Sequence, residues 1–369
     1  MATPLKIGIA GAGLLGRLTA WQLAHAGHQV SVFDPADGPL PSFDGQGAAG
    51  FTAAGMLSPL AELDATDPDL AERGWYSIDR WAQISARVAR QGKHQPHFEC
   101  NGSLLVAHGP DLGAAQRVLA HIEKGSRGWP QQVVPVDAAR LHELEPALHA
   151  SQGRLHAWLL PGEAAVCTPC MLKALHASAP NVQWHWQQRV TTLRAAADAS
   201  TGAQLETTAP DGSTASTHSF DWVFDLRGAG ARDATPVRGV RGETVWLHAP
   251  GVELRRAVRL LHPRHRVYLV PRRKDVIFLG ASELESDDRS EVSLRSAVEL
   301  MAAAHSIIPA LAEARIVRLD RNLRPALPDN RPEIHIEDGL VRINGLYRHG
   351  WLLAPSLVDD ALARTELVT

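Results

Sequence analysis

Residues Lys6 to Ala10 form a short apolar run rich in β-formers that passes straight into Gly11, Gly13 and Gly16, spaced G-x-G-x-x-G. An apolar-periodic segment follows from Leu14 to Ala26. That order predicts a strand, a tight turn and a helix. In the loop Gly11-Ala12-Gly13-Leu14-Leu15-Gly16, Gly11 permits the turn and Gly13 lets backbone approach a pyrophosphate. Gly16 lets the helix lie close on the sheet, and the phosphates rest at the helix N-terminus. Gly27 ends the helix, Gln29 to Phe33 make a second strand, and Asp34 stands at its tip. A carboxylate about twenty residues past the glycines accepts hydrogen bonds from an adenosine ribose. The arrangement predicts an adenine dinucleotide site and does not separate FAD from NAD.

A chain of 369 residues is too long for one ordinary domain and suits two. Lysine and arginine number 37 against 40 acidic residues, so a net charge of −3 gives no electrostatic reason to expect nucleic acid or an anionic membrane. The expected partner is a small molecule. No apolar stretch approaches the roughly 20 residues of a membrane span. The first residues lack a basic n-region and run directly into the first strand, so a cytoplasmic protein without a targeting peptide is expected.

Cys100, Cys167 and Cys170 are the only cysteines, a small odd number that argues against a disulfide framework. Cys167-Thr-Pro-Cys170 is a C-x-x-C without the second pair that zinc needs, and Thr168 and Pro169 suit the cap and first turn of a helix to about Ala177. A chance structural spacing is the expectation, and no metal is assigned to it or to the histidines.

Along the chain, Ala48 to Met56 is a small-residue run against which a flat ligand could lie. Leu70 to Ala89 predicts a helix, and Gly102 to His108 a strand. Residues 112–148 are mostly helical, Gly153 to Val166 extended and Asn181 to Leu193 β-like. Ala195 to Ser219 suggests a loose surface hairpin turning at Asp211-Gly212. Phe220 to Leu226 predicts a buried strand ending at Arg227-Gly228-Ala229-Gly230, a second turn that a cofactor could approach. Val237 to His248, Val258 to Leu261, Arg266 to Val270 and Val276 to Gly280 predict an antiparallel sheet. A helix from about Ser293 to Ser306 and a strand from Ile316 to Leu319 lead to the C-terminal region.

Six fragments, in order, carry a resemblance: AAGFTAAGMLSPLAE from Ala48, VRGETV from Val240, VYLVPRR from Val267, LGASE from Leu279, RPALPDNRP from Arg324 and GLYRHGWLLAP from Gly345. The chain resembles the D-amino-acid-oxidase superfamily of FAD enzymes, and within it the glycine oxidase branch linked to thiamine biosynthesis. The likeness covers nearly the whole length. It implies an α/β chain with a Rossmann-type FAD-binding domain, here 1–90, 150–235 and 318–369, and a largely antiparallel substrate domain, 91–149 and 236–317.

By that resemblance FAD lies extended and non-covalent, with Ala53, Ala54, Gly55 and Met56 along its pyrophosphate-to-flavin path and the backbone of Val190 at the adenine. Gly228 approaches the cofactor, and His349, Gly350, Trp351 and Leu352 run past the flavin. Ala354 and Pro355 are expected in the first turn of a helix to about Arg364, whose N-terminus carries roughly half a positive charge toward flavin N1 and O2.

The resemblance also implies a substrate clamp. Arg324 pairs bidentately with an amino acid carboxylate, Tyr268 donates its hydroxyl to it, and Arg348 adds a second positive charge; Met56 joins them beside the reacting centre. A fixed carboxylate and a neutral amine aim the α-hydrogen at flavin N5, whence it leaves as hydride, and oxygen returns the flavin to its oxidised form with release of H2O2. The implied substrate is a small amino acid or amine, and the implied role supply of the thiamine thiazole precursor. Relatives suggest a tetramer. A dehydrogenase of an amino or hydroxy acid using a non-oxygen acceptor is the alternative. Glu283 and His349 depart from the pattern and put glycine itself in doubt; Glu283 is expected to face solvent rather than a substrate ammonium.

Overall fold

The apolar run near the start is the central strand of a six-stranded sheet, β1 (Lys6–Ala10), flanked in parallel by β2 (Gln29–Asp34) and β13 (Trp222–Asp225). In the computed structural model, which describes residues 3–91, 94–148, 155–197, 201–209, 211–263 and 266–368, the sheet continues outward through β9 (Gln183–Trp186) on one side. On the other lie β20 (Leu340–Asn344) and antiparallel β19 (Glu333–Glu337). Alternation along these strands sorts their side chains. Ile7, Ile9, Val30 and Val32 join a core with α1 (Leu14–His25), α3 (Pro68–Gln91), α6 (Thr168–Ser178) and α8 (Gly350–Arg364). Ala10, Phe33, Val223 and Leu340 join a second core beneath the antiparallel sheet of β10 (Arg189–Arg194), β11 (Ala203–Thr208) and β12 (Ala215–Phe220).

The Ala/Ser/Thr/Gly-rich stretch is therefore more regular than a loose hairpin, because β11 pairs on both sides. Its turn holds Gly212 at φ +73°. Residues 198–200 and 210 of that stretch, and the start of the extended run expected from Gly153, lie outside the described residues.

The second sheet has eight strands. Their order is β18 (Arg315–Ala326), β14 (Arg238–His248), β17 (Val276–Gly280), β16 (Arg266–Arg272), β15 (Ala257–Leu261), β5 (Ser103–His108), β7 (Leu155–Leu160) and β6 (Val134–Val136). All neighbours are antiparallel except β15 and β5. Val245, Leu247, Leu269 and Leu279 face a core with α7 (Leu294–Ile307) and α5 (Ala138–Leu144). The alternating residues Trp246, Tyr268 and Phe278 face the other way, toward Ala54 and Met56. The division expected from sequence is corrected here: β7 and the part of β18 from Arg318 onward, expected with the dinucleotide-binding segments, belong to this sheet. β18 also runs seven residues beyond its expected end at Leu319, because it pairs with β14 along its whole length. That extension carries Arg324.

A small sheet of β3 (Met56–Leu57), β8 (Ala164–Val166) and β4 (Phe98–Glu99) joins the two halves, with α2 (Pro59–Glu62) following β3 and α4 (Leu112–Gly125) packed nearby. The cysteine count argued against a disulfide framework; the structure bonds Cys167 to Cys170, a single bridge within the first turn of α6, and leaves Cys100 free.

Helix α8 begins at Gly350, so Ala354 and Pro355 sit in its second turn rather than the first. A proline there cannot donate to the carbonyl four residues back, that of Trp351. The indole N–H of buried Trp81 donates to it instead at 2.8 Å. Removal of this donor strands a buried carbonyl, so Trp81→Phe is expected to cost about 1–3 kcal/mol in urea unfolding. Pro355→Ala should be less damaging in that background than in the native one, because an alanine at this position restores the missing N–H; equal effects in both backgrounds would rule out the substitution of one donor for the other.

Candidate active site

Between the two sheets runs one continuous cavity of about 940 Å³. At one end lie Gly11, Ala12, Gly13, Leu14, Leu15, Asp34 and Val190; in the middle Ala53, Ala54, Gly55, Met56 and Gly228; at the other Tyr268, Arg324, Arg348, His349, Gly350, Trp351 and Leu352. Gly16 does not line it, because it faces the sheet. A Cβ there would lie 1.8 Å from the Gly11 carbonyl oxygen. Gly11 takes φ +101°, a conformation glycine adopts without strain.

The dinucleotide end is ordered by polar contacts. The Asp34 carboxylate accepts from Ala12 N at 2.6 Å and from Ala36 N at 2.9 Å, which fixes it at the strand tip. Arg17, buried on α1, donates to the carbonyls of Ala12, Leu172 and Pro39. Burial lowers its guanidinium to about 10, opposed by Asp34. Arg227 is absorbed by its surroundings: it forks onto Asp225, reaches Asp233 and donates to the Val190 carbonyl. Arg227 therefore adds no free charge to the cavity. A long cavity with a glycine turn at one end and a helix start at the other fits a dinucleotide lying extended.

The clamp residues come together through register. Thr244 of β14, Gly280 of β17, Tyr268 of β16 and Arg259 of β15 form one row across the sheet, on the cavity face. Two glycines make room. A Cβ on Gly280 would lie 2.7 Å from the Tyr268 ring, and one on Gly242 would lie 2.5 Å from an Arg324 guanidinium nitrogen. Both side chains therefore lie flat over bare backbone. Arg324 donates to the carbonyls of Arg241 and Ser282 at 3.3 and 3.1 Å, and among the described residues it has no carboxylate partner. Burial pushes the Tyr268 hydroxyl up against the opposing pull of Arg324, so it remains a donor. A planar cation without a counter-ion, beside a phenol, is suited to one carboxylate.

Arg348 corrects the expectation of a free second charge. Its guanidinium donates to Glu62 at 2.7 Å and lies 3.8 Å from Glu283. Burial raises the Glu62 carboxyl, but Arg348, His349 and Arg259 outweigh it and bring it down to about 2. His349, buried, lies 3.3 Å from the same carboxylate. Burial lowers its imidazole although Glu62 opposes the shift. Glu283 is exposed, as expected, but at the cavity rather than away from it, and it accepts the hydroxyl hydrogen bond of Tyr347. Glu62, Arg259, Tyr347 and Arg17 were not singled out from sequence. Each owes its place to a partner far along the chain, for which no local pattern exists.

Glu163, fully buried, holds α2 in place by accepting from Ala61 N at 3.0 Å and from the Ser103 hydroxyl. Burial raises its carboxyl from 4.5 to about 7, against those two donors. Between those values the folded chain keeps a proton that the unfolded chain releases, so this contribution to stability is complete below 4.5 and lost as pH rises through 7. Glu163→Gln is expected to reduce the loss of stability between about pH 5 and pH 8 by on the order of 2 kcal/mol, read from urea midpoints. An identical pH dependence in the variant would contradict this assignment.

Among the described residues no group of three or more His, Cys, Asp or Glu could hold a metal ion, and no helix is long and apolar enough to cross a membrane.

This cavity between a Rossmann-type sheet and an antiparallel sheet defines a two-domain dinucleotide-dependent oxidoreductase. Residues 6–358 match the FAD dependent oxidoreductase family DAO, and the chain belongs to that family. It is 34% identical, over 98% of its length and 96% of the relative's, to an oxidoreductase assigned to thiamine biosynthesis, ThiO, from Rhizobium etli. It is 28% identical to the glycine oxidase of Pseudomonas putida, over 98% of this chain and 95% of that one. Its fold matches the crystal structure of glycine oxidase from Bacillus cereus with a TM-score of 0.82 at 22% identity, covering 98% and 95% of the two chains. The chain is an FAD-dependent oxidoreductase of this family.

Proposed function

We propose that this chain oxidises a small amino acid or amine, with glycine and sarcosine as first candidates, and passes the electrons to oxygen. One observation carries the reading. Arg324 lies flat over Gly242 beside Tyr268, without a carboxylate partner among the described residues, at the end of the cavity remote from the dinucleotide turn. The names of the Rhizobium etli and Pseudomonas putida relatives support a place in thiamine precursor supply and glycine as a substrate.

FAD, held non-covalently, supplies a two-electron acceptor for the α-hydrogen and a route from there to oxygen. The chain's own residues supply position and charge. Arg324 and Tyr268 fix the carboxylate, which leaves the Cα of a small substrate one rotational choice rather than many. Removal of the substrate from water disfavours the charged ammonium and so favours the neutral amine. Gly350, Trp351 and Leu352 open α8 at the cavity, and first-turn N–H groups, which lack intrahelical partners, suit negative charge developing there. The Trp351 indole donates to the Gly50 carbonyl at 3.0 Å and holds that helix start against the small-residue run.

Oxygen uptake by the purified holoenzyme with glycine and sarcosine tests this reading. Stoichiometric uptake with release of hydrogen peroxide supports an oxidase. Turnover seen only with an artificial acceptor would replace it with a dehydrogenase.

A further inference from the structure

Among the described residues at the substrate end, Arg348 and Arg259 are already balanced. Arg348 is shared by Glu62 and Glu283. Arg259 lies 3.7 Å from Asp64 and donates to the Ala61 carbonyl. Arg324, by contrast, is bound by the neutral carbonyls of Arg241 and Ser282 and lies beside the Tyr268 phenol. One uncompensated cation matches one substrate carboxylate.

Glu283 is held in place from both sides. The backbone on either side of it is fastened to β14, where Ser282 N donates to Glu243 O, Leu284 N to Arg241 O, and Arg241 N to Leu284 O at 2.8 Å. Beneath this lies the buried pair Arg241 and Glu243, whose carboxylate also accepts from the Ser282 hydroxyl at 3.1 Å. Tyr347, from the segment leading into α8, donates its hydroxyl to Glu283 across the cavity. The carboxylate thus faces the site from a rigid edge segment rather than a free loop.

We propose that Glu283 restricts the site to substrates bearing a single carboxylate. This rests on the reading of Arg324 as the carboxylate clamp. A second carboxylate, as in iminodiacetate compared with sarcosine, meets an arginine already shared by two acids and a like charge on Glu283. Glu283 is exposed at the cavity, so the like charges repel through a screened but unfavourable interaction. The glutamate excludes such compounds by charge rather than by size.

Acetate and malonate differ by one carboxylate and serve as probes. The flavin difference spectrum of the holoenzyme is titrated with each, in the native protein and in Glu283→Gln and Glu283→Lys. The ratio of malonate to acetate Kd is expected to fall by about tenfold in the glutamine variant and further in the lysine variant. The preference for sarcosine over iminodiacetate in turnover should fall in the same order. An unchanged ratio across the three proteins, with acetate binding intact, overturns the role of Glu283 alone. If acetate perturbs none of the spectra, the carboxylate clamp itself is overturned.

Discussion

Arg324→Ala is expected to lower kcat/KM for the amino acid substrate by about 3–5 kcal/mol, or roughly two to four powers of ten, while the protein keeps its flavin. The guanidinium meets the carbonyls of Arg241 and Ser282 and the Tyr268 phenol, so its loss removes a cation that no acid among the described residues neutralises. Arg348 cannot take over, because Glu62 holds it at 2.7 Å. Arg324→Lys should recover only part of the loss, since an ammonium matches one oxygen at a time. Steady-state kinetics with the visible spectrum as a control check this. A variant with native kcat/KM would remove the clamp from the account, and a variant without flavin would show that Arg324 supports the cofactor site instead.

Gly16→Ala is expected to abolish FAD retention and to destabilise the chain. The added Cβ would lie 1.8 Å from the Gly11 oxygen, a backbone atom that cannot swing aside. Helix α1 must then move off β1, and overpacking of this kind costs about 1–3 kcal/mol or more. Gly13→Ala separates folding from binding. Its Cβ meets only the Ala48 Cβ, at 3.4 Å, so the apoprotein should fold with near-native stability and still bind FAD poorly. The ratio of flavin to protein absorbance and the thermal midpoint of each variant test the pair. Full flavin content in Gly16→Ala would contradict the packing argument.

What the sequence revealed follows the range of the forces involved. The strand, glycine turn, helix and Asp34 were legible because each is specified by its immediate neighbours, and the turn must satisfy its own backbone. Arg324, Tyr268 and Arg348 were identified only through resemblance, since nothing in their local sequence distinguishes a ligand arginine from a surface one. The geometry adds what resemblance omitted: Arg348 is tied to Glu62, and Gly242 and Gly280 provide the bare backbone on which the clamp lies. Those glycines gain meaning only from the register of β14 with β18 and of β16 with β17.

The misplaced elements have a common cause. β7 and β18 border segments of the first sheet in sequence but pair with strands of the second, and pairing partners far apart along the chain leave no local trace. Pro355 marked a helix start by its usual preference. It lies one turn later because Trp81, from another helix, supplies the hydrogen bond that proline cannot. The polar residues missed altogether, Arg17, Glu62, Glu163 and Arg259, are buried ones whose partners come from distant elements.

Whether an α-amino carboxylate sits beside a bound flavin in this cavity is decided by the visible spectrum of the holoenzyme before and after anaerobic addition of glycine, then of sarcosine. Rapid loss of the oxidised flavin band is expected with at least one of them, and no such loss in Arg324→Ala on the same time scale. A flavin that stays oxidised with both, or that is reduced equally fast without Arg324, would contradict that placement.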